Sequence, residues 1–201
     1  MTGGAPESGF FFIRHGQTVA NRDGVRSGGE SDTHLTVLGR EQARTAGLTL
    51  HRLGAAPSLI LTSPLSRTID TAEILNERFG LEIRTVSGLT ERRLGAWNGR
   101  SIEATQPLLA AGETPPGGET NAVFKARVLA AFRGLAPHYA SWPLIVSSRG
   151  VARILLEHAG LVDATSLPNG AILRATLANS DGDGDFVVSG IDHLEAPSDT
   201  A

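Results

Sequence analysis

Four short polar clusters in this sequence combine residue types that can do chemistry on an anion. Arg14-His15-Gly16 sets an imidazole beside a guanidinium, and Ser63-Pro64 is followed closely by Arg67. Glu91-Arg92-Arg93 offers a carboxylate among cations, and Ser147-Ser148-Arg149-Gly150 is a small polar turn. Guanidiniums pair with phosphate oxygens, helix N-terminal amides add partial positive charge, and an imidazole can attack phosphorus. Each cluster also has a plain structural reading: a packed histidine, a solvated helix arginine, a surface ion pair, or an N-cap for the helix after Ser148. What joins them is placement, because each follows an apolar run that reads as a strand.

Those strands are short and alternate with helical patterns. Phe10–Ile13 is continuously apolar, as a strand buried on both faces should be. A Gly-rich loop runs on to about Thr36, after which Ala43, Ala46, Leu50 and Leu53 recur at helical spacing. Leu59–Thr62 is a second strand. Ser63-Pro64 reads as an N-cap with proline in the first helical position, opening a helix to about Phe79 that Gly80 ends. Glu82–Val86 is a third strand, followed by loop to Gly99, and Glu113–Thr120 is loop leading into a helix with Phe124, Val128, Phe132 and Leu135 on one face. Pro143–Ser147 is a fourth strand, and Val151, Ile154, Leu155 and His158 form one face of the next helix. Ala171–Ala178 and Asp185–Ile191 flank a turn, Asn179–Asp185, and read as a hairpin or edge-strand pair. The expected architecture is α/β: one three-layer α/β/α domain over residues 10–193, with a mostly parallel sheet, helices on both faces and flexible segments at 1–9 and 194–201. In such a sheet ligands bind beyond the carboxyl ends of the strands, where all four clusters fall.

Composition narrows the function classes. A chain of 201 residues with 40% hydrophobic content suits one well-buried domain. The formal charge of −3 and the lack of a Lys/Arg run argue against a nucleic-acid partner. There is no cysteine, so thiolate catalysis and cysteine–zinc sites are excluded. No apolar run approaches the ~20 residues of a membrane span, and residues 1–9 do not look like a signal peptide. The protein is expected to be cytoplasmic, with no membrane partner, metal or cofactor, and its oligomeric state is not readable.

At the same residues the chain resembles the histidine phosphatase superfamily, which includes the cofactor-dependent phosphoglycerate mutases. "FIRHGQTVAN" is similar to its Arg-His-Gly signature with a downstream asparagine, and "LTSPLSRTIDTAEIL" to its second arginine motif. "TVLGREQA" fits its first helix, "LTERRLGAWNG" resembles the loop carrying its acid, and "PPGGET" the turn before a long helix; the likeness runs from about Phe10 to Gly160. The resemblance implies that His15 is a nucleophile that becomes phosphorylated. It makes Arg14 and Arg67 the clamps of the phosphoryl oxygens, Asn21 a pocket residue and Glu91 the proton donor. A small phosphorylated substrate follows, and Gln17, Thr18, Arg92 and His34 are candidates for the mouth of the site. His51, His138, His158 and His193 fall at helix ends or in the tail.

One motif departs. The family's strand-four sequence is Ser-His-Gly, and aligning on Val146-Ser147 puts Ser148 where the histidine belongs and Arg149 where glycine is usual. A serine hydroxyl donates one hydrogen bond without charge, so a weak or absent turnover is expected. Arg149 or His34 are the residues placed to restore the charge. The alternatives are a degenerate member that binds a phosphorylated ligand or partner, and a phosphoglycerate-type mutase. The short stretch between Gly99 and Glu119 favours phosphatase over mutase. A serine hydrolase lacks Gly-x-Ser-x-Gly, a P-loop enzyme lacks its Lys-Ser/Thr, and Asp181–Asp185 lacks the glycine and glutamate of a calcium loop.

Overall fold

The computed structural model describes residues 8–161, 167–178 and 186–195. Chain order is β1 (Ser8–Arg14), α1 (Val19–Arg22), α2 (Val37–Arg52), β2 (Ile60–Thr62), α3 (Ser66–Asn76), β3 (Ile83–Thr85), α4 (Ile102–Ala110), α5 (Asn121–Gly134), β4 (Leu144–Ser147), α6 (Arg149–His158), β5 (Ile172–Ala178) and β6 (Val187–Leu194). The six strands form one sheet in the order β3-β2-β4-β1-β5-β6. β3, β2, β4 and β1 run parallel, and the β5–β6 hairpin closes one edge antiparallel.

Strand β1 shows why its run is unbroken. Phe10 and Phe12 enter a core with Phe124, Val128 and Phe132 of α5 and Val151, Ile154 and Leu155 of α6. Phe11 and Ile13 enter a second core on the other face, with Ala46 and Leu50 of α2 and Ala72 and Leu75 of α3. Alternating side chains are buried on both sides, so the sheet is the middle of three layers. Within this frame β1 and β4 pair Arg14 with Ser147, bringing the first and fourth polar clusters side by side.

The structure corrects several expectations. β1 begins at Ser8, two residues before its apolar run. The α3 cap is Leu65, not Ser63, and the helix ends at Asn76 rather than about Phe79. Ser63 instead bonds Thr68 Oγ1 at 2.7 Å, a link inside the turn that replaces a capping role. Leu53 is the C-cap of α2 and 43% exposed, off the buried face. Helix α4 stands where the sequence reading assigned no element, because Pro107 in its middle masks the pattern. Ser101 starts it by accepting the Ala104 N–H. No helix among the described residues is long and apolar enough to cross a membrane. The Asn179–Asp185 turn, residues 1–7 and residues 196–201 lie outside the described residues, and so do the readings placed on them.

Candidate active site

The sheet's carboxyl edge gathers the predicted side chains. His15 follows β1, its N–H donating to Ser147 O at 2.9 Å, so the imidazole is held beside the β4–α6 turn. The next residue, Gly16, donates to Thr71 Oγ1 of α3 at 3.1 Å, and Thr71 in turn bonds Arg67 O at 2.7 Å. A Cβ on Gly16 would stand 2.1 Å from Gly39 O, so glycine is what lets α2 approach the histidine turn this closely.

The His15 ring is buried, with Nδ1 2.8 Å from Gly16 O. A carbonyl can only accept, so Nδ1 carries the proton and Nε2 keeps its lone pair. Burial, then the charges of Arg67 and Arg14, hold this imidazole well below its ordinary pKa of 6.5. It is therefore neutral near pH 7, in the form a nucleophile needs.

Two buried guanidiniums flank it. Arg14 donates to Leu167 O at 2.5 Å and leaves its Nε without a partner. Burial, and next the charge of Arg149, lower its pKa to about 10, while Glu91 opposes the fall. Arg67 donates to Ser31 O at 2.9 Å and Gly28 O at 3.2 Å. Asp32 lies 3.7 Å from it and also accepts the Ser66 N–H at the start of α3.

Glu91 sits across the start of α6. One oxygen accepts the Gly150 N–H at 2.9 Å and the other its own neighbour's, Arg92 N–H, at 2.7 Å. Its charge acts on Arg14, Arg26, Arg67 and Arg92. The segment carrying it is pinned from α5: Arg127 donates to Gly88 O, Thr90 O and Glu91 O, and pairs through two nitrogens with buried Glu119. Ser147 Oγ adds a bond to Leu89 O at 2.7 Å.

Ser148 is the N-cap of α6, 1% exposed, and its hydroxyl has no hydrogen-bond partner and no capping bond. Arg149 opens α6, and its charge is felt by Arg14 and Arg26, which puts it at the edge of the same cluster.

The other candidates divide. Asn21 is within the site: its Oδ1 accepts from Thr18 N–H and from the Asn169 amide, which also donates to His15 O. Thr18 is fully buried as the cap of α1, and the Gln17 side chain accepts from Thr36 Oγ1 at the cap of α2. Arg92 turns away into the fold, donating to Glu119 O at 2.9 Å. His34 is exposed, and its backbone oxygen accepts the Val19 N–H.

Three residues escaped the sequence reading: Arg26, buried and bonded to Thr105 and Gln106 of α4; Arg127; and Asn169. Arg26 and Arg127 have only a charge as signal in the sequence, and Asn169, between Pro168 and Gly170, has none that points to the site.

The model of the histidine phosphatase superfamily (branch 1) matches residues 10–185. The chain belongs to that superfamily. As a histidine phosphatase it resembles two curated glucosyl-3-phosphoglycerate phosphatases. The Mycolicibacterium vanbaalenii protein is 37% identical over 161 residues, 76% of this chain and 69% of that one. The Mycobacterium tuberculosis protein is 37% identical over 177 residues, 83% and 76%. The native structure of a mycobacterial glucosyl-3-phosphoglycerate phosphatase superposes with a TM-score of 0.77 at 28% identity, covering 95% of this chain and all of the other. These likenesses make the histidine phosphatase chain a phosphatase, and the α/β fold expected from its sequence is the fold of its structural neighbours.

Proposed function

We propose that the protein hydrolyses a small phosphomonoester in two steps through a phosphohistidine at His15. The observation that carries this reading is the buried His15 ring, its Nδ1–H bound to Gly16 O so that Nε2 keeps its lone pair, in the field of Arg67 and Arg14. Nε2 attacks phosphorus, the P–O ester bond breaks, and the departing oxygen takes a proton from the Glu91 carboxyl. Water then attacks the phosphorus of phosphohistidine and gives a proton to the Glu91 carboxylate. The P–N bond breaks and inorganic phosphate leaves. Arginines and amides aimed at the phosphoryl oxygens supply most of the stabilisation such a transfer needs.

The Ser148 hydroxyl and Arg14 Nε, both buried without partners, are donors that phosphoryl oxygens would satisfy. Ser148 brings no charge, so we place its turnover below that of a histidine at the same point. A preorganised donor of that kind is worth on the order of 10²–10³ in rate. Arg26 and Arg149, near the clamp yet unused by the transfer, favour a substrate with a second anionic group. A phosphorylated hydroxy acid of the kind named for the mycobacterial relatives has one. The test compares native protein with Ser148→His on phosphomonoesters with and without a carboxylate. Faster turnover by the variant and a preference for the carboxylate esters support the reading. A native protein already as fast as the variant refutes the role given to Ser148. A protein that binds phosphate but never hydrolyses an ester is the degenerate binder instead.

A further inference from the structure

Asn169, in the turn before β5, is tied to the nucleophile by two bonds from a single amide nitrogen. Its Nδ2 lies 2.9 Å from His15 O and 3.1 Å from Asn21 Oδ1. The atom facing a backbone carbonyl must be the nitrogen, which fixes how the Asn169 amide is turned. Asn21 is fixed in the same way. The backbone Thr18 N–H, 3.1 Å away, can only donate, so the Asn21 atom facing it is the oxygen. With two donors on that oxygen, the Asn21 nitrogen and its two N–H groups are turned to the opposite side of the side chain. Asn21 is only partly buried, so those donors need no partner within the protein.

We infer that Asn169 is a positioning residue: it locks the Asn21 carboxamide oxygen-inward, so that Asn21 presents N–H donors to the phosphoryl group, and it anchors the His15 backbone in the same contact. The inference rests on the reading of His15, Arg14 and Arg67 as a phosphate pocket. Held by the Thr18 N–H alone, the carboxamide could still turn its oxygen toward the anion for the loss of one bond, and the second donor makes that unproductive state rarer. The neighbouring Arg14–Leu167 bond ties the same 167–170 turn to the clamp, so this turn braces two pocket residues at once.

The test is a double-mutant cycle over Asn21→Ala and Asn169→Ala, read by orthovanadate inhibition and by kcat/KM on p-nitrophenyl phosphate, with unfolding midpoints measured in parallel. Each single change should weaken vanadate binding about tenfold, the scale of one hydrogen bond to a charged group. In the Asn21→Ala background, the Asn169 change should cost less than about threefold, because the Asn21 carboxamide is already gone and only the bond to His15 O is left to lose. Asn169→Leu, close in volume but without the donor or any charge, repeats the measurement should the alanine variant fold poorly. It should lose as much binding as Asn169→Ala, and again mainly when Asn21 is present. Additive losses, near a hundredfold in the double variant, would overturn the positioning role while leaving the pocket intact. Absence of vanadate inhibition in the wild type would overturn the pocket itself, and this inference with it.

Discussion

Replacing Gly150 with alanine isolates the position of Glu91 from everything else in the site. Gly150 is the second residue of α6, and a Cβ there would stand 2.0 Å from Glu91 Oε1 and 2.9 Å from Oε2. Ordinary contact begins at 3.4 Å, so the carboxylate must recede by more than about 1 Å, the scale of misplacement that can cost 10² in rate. The Gly150 N–H bond to Oε2 is lost with it. The fold should tolerate the change. Alanine is favoured over glycine in a helix by ~0.5–1 kcal/mol, which offsets much of one lost bond to a half-exposed carboxylate, ~1.5 kcal/mol. The melting temperature should then move by only a few degrees. Activity is another matter, because a proton donor matters most when the leaving oxygen is strongly basic. The assay is kcat on two esters, an alkyl phosphate and p-nitrophenyl phosphate, whose phenolate leaves without help. Gly150→Ala should lose about a hundredfold on the alkyl ester and less than tenfold on the aryl ester, with phosphate inhibition little changed. Equal losses on both would refute Glu91 as the proton donor, and no loss on either would refute its placement.

Three further outcomes follow from the same geometry. His15 is held neutral in the fold but titrates near 6.5 when unfolded, so its contribution to stability is complete above that pH. It should fall by about 1.4 kcal/mol per pH unit as the pH drops from 6.5 toward the lowered folded value. His15→Gln should flatten that slope in denaturant titrations, and the wild-type ring should keep the neutral Nδ1–H signature in nitrogen NMR below pH 6.5, where a free imidazole would be protonated. Arg127→Met removes the group that binds three carbonyls of the Glu91 segment and leaves buried Glu119 without its closest cation, so unfolding should cost at least ~3 kcal/mol less. kcat should fall further than 1/KM. Arg67→Lys keeps the charge but cannot reach Ser31 O and Gly28 O together while holding a phosphate, and phosphate inhibition should weaken by at least tenfold.

Much of the fold was legible because the core-forming patterns were local. The unbroken Phe10–Ile13 run follows from burial on both faces, and the Phe124, Val128, Phe132 spacing from one buried stripe of α5. The elements that failed to show were those where a local rule was overruled. Pro107 hides α4, and Ser63, a good cap by type, spends its hydroxyl on Thr68. The site divides in the same way. His15, Arg14, Arg67 and Glu91 were legible as polar and charged groups at strand ends, and the structure brings them together. Arg92 was read as a mouth candidate from its place beside Glu91, yet its side chain points to Glu119 O, a contact 27 residues away in sequence. Asn169 was illegible for the same reason, since its partner lies 154 residues earlier. Ser148, which the sequence reading took as a replacement for a histidine, is the N-cap of α6 with a buried hydroxyl that has no hydrogen-bond partner.

The central claim is a covalent bond between phosphorus and His15, and trapping that bond tests it most directly. The protein would be mixed with a phosphate-labelled ester, quenched in alkaline denaturant within the first turnover, digested, and the label located by mass spectrometry. Label on His15, stable to base and lost in acid, with none on a His15→Ala variant that no longer hydrolyses the ester, is the expected result. An active protein labelled elsewhere, or a His15→Ala variant that still hydrolyses the ester, would contradict it.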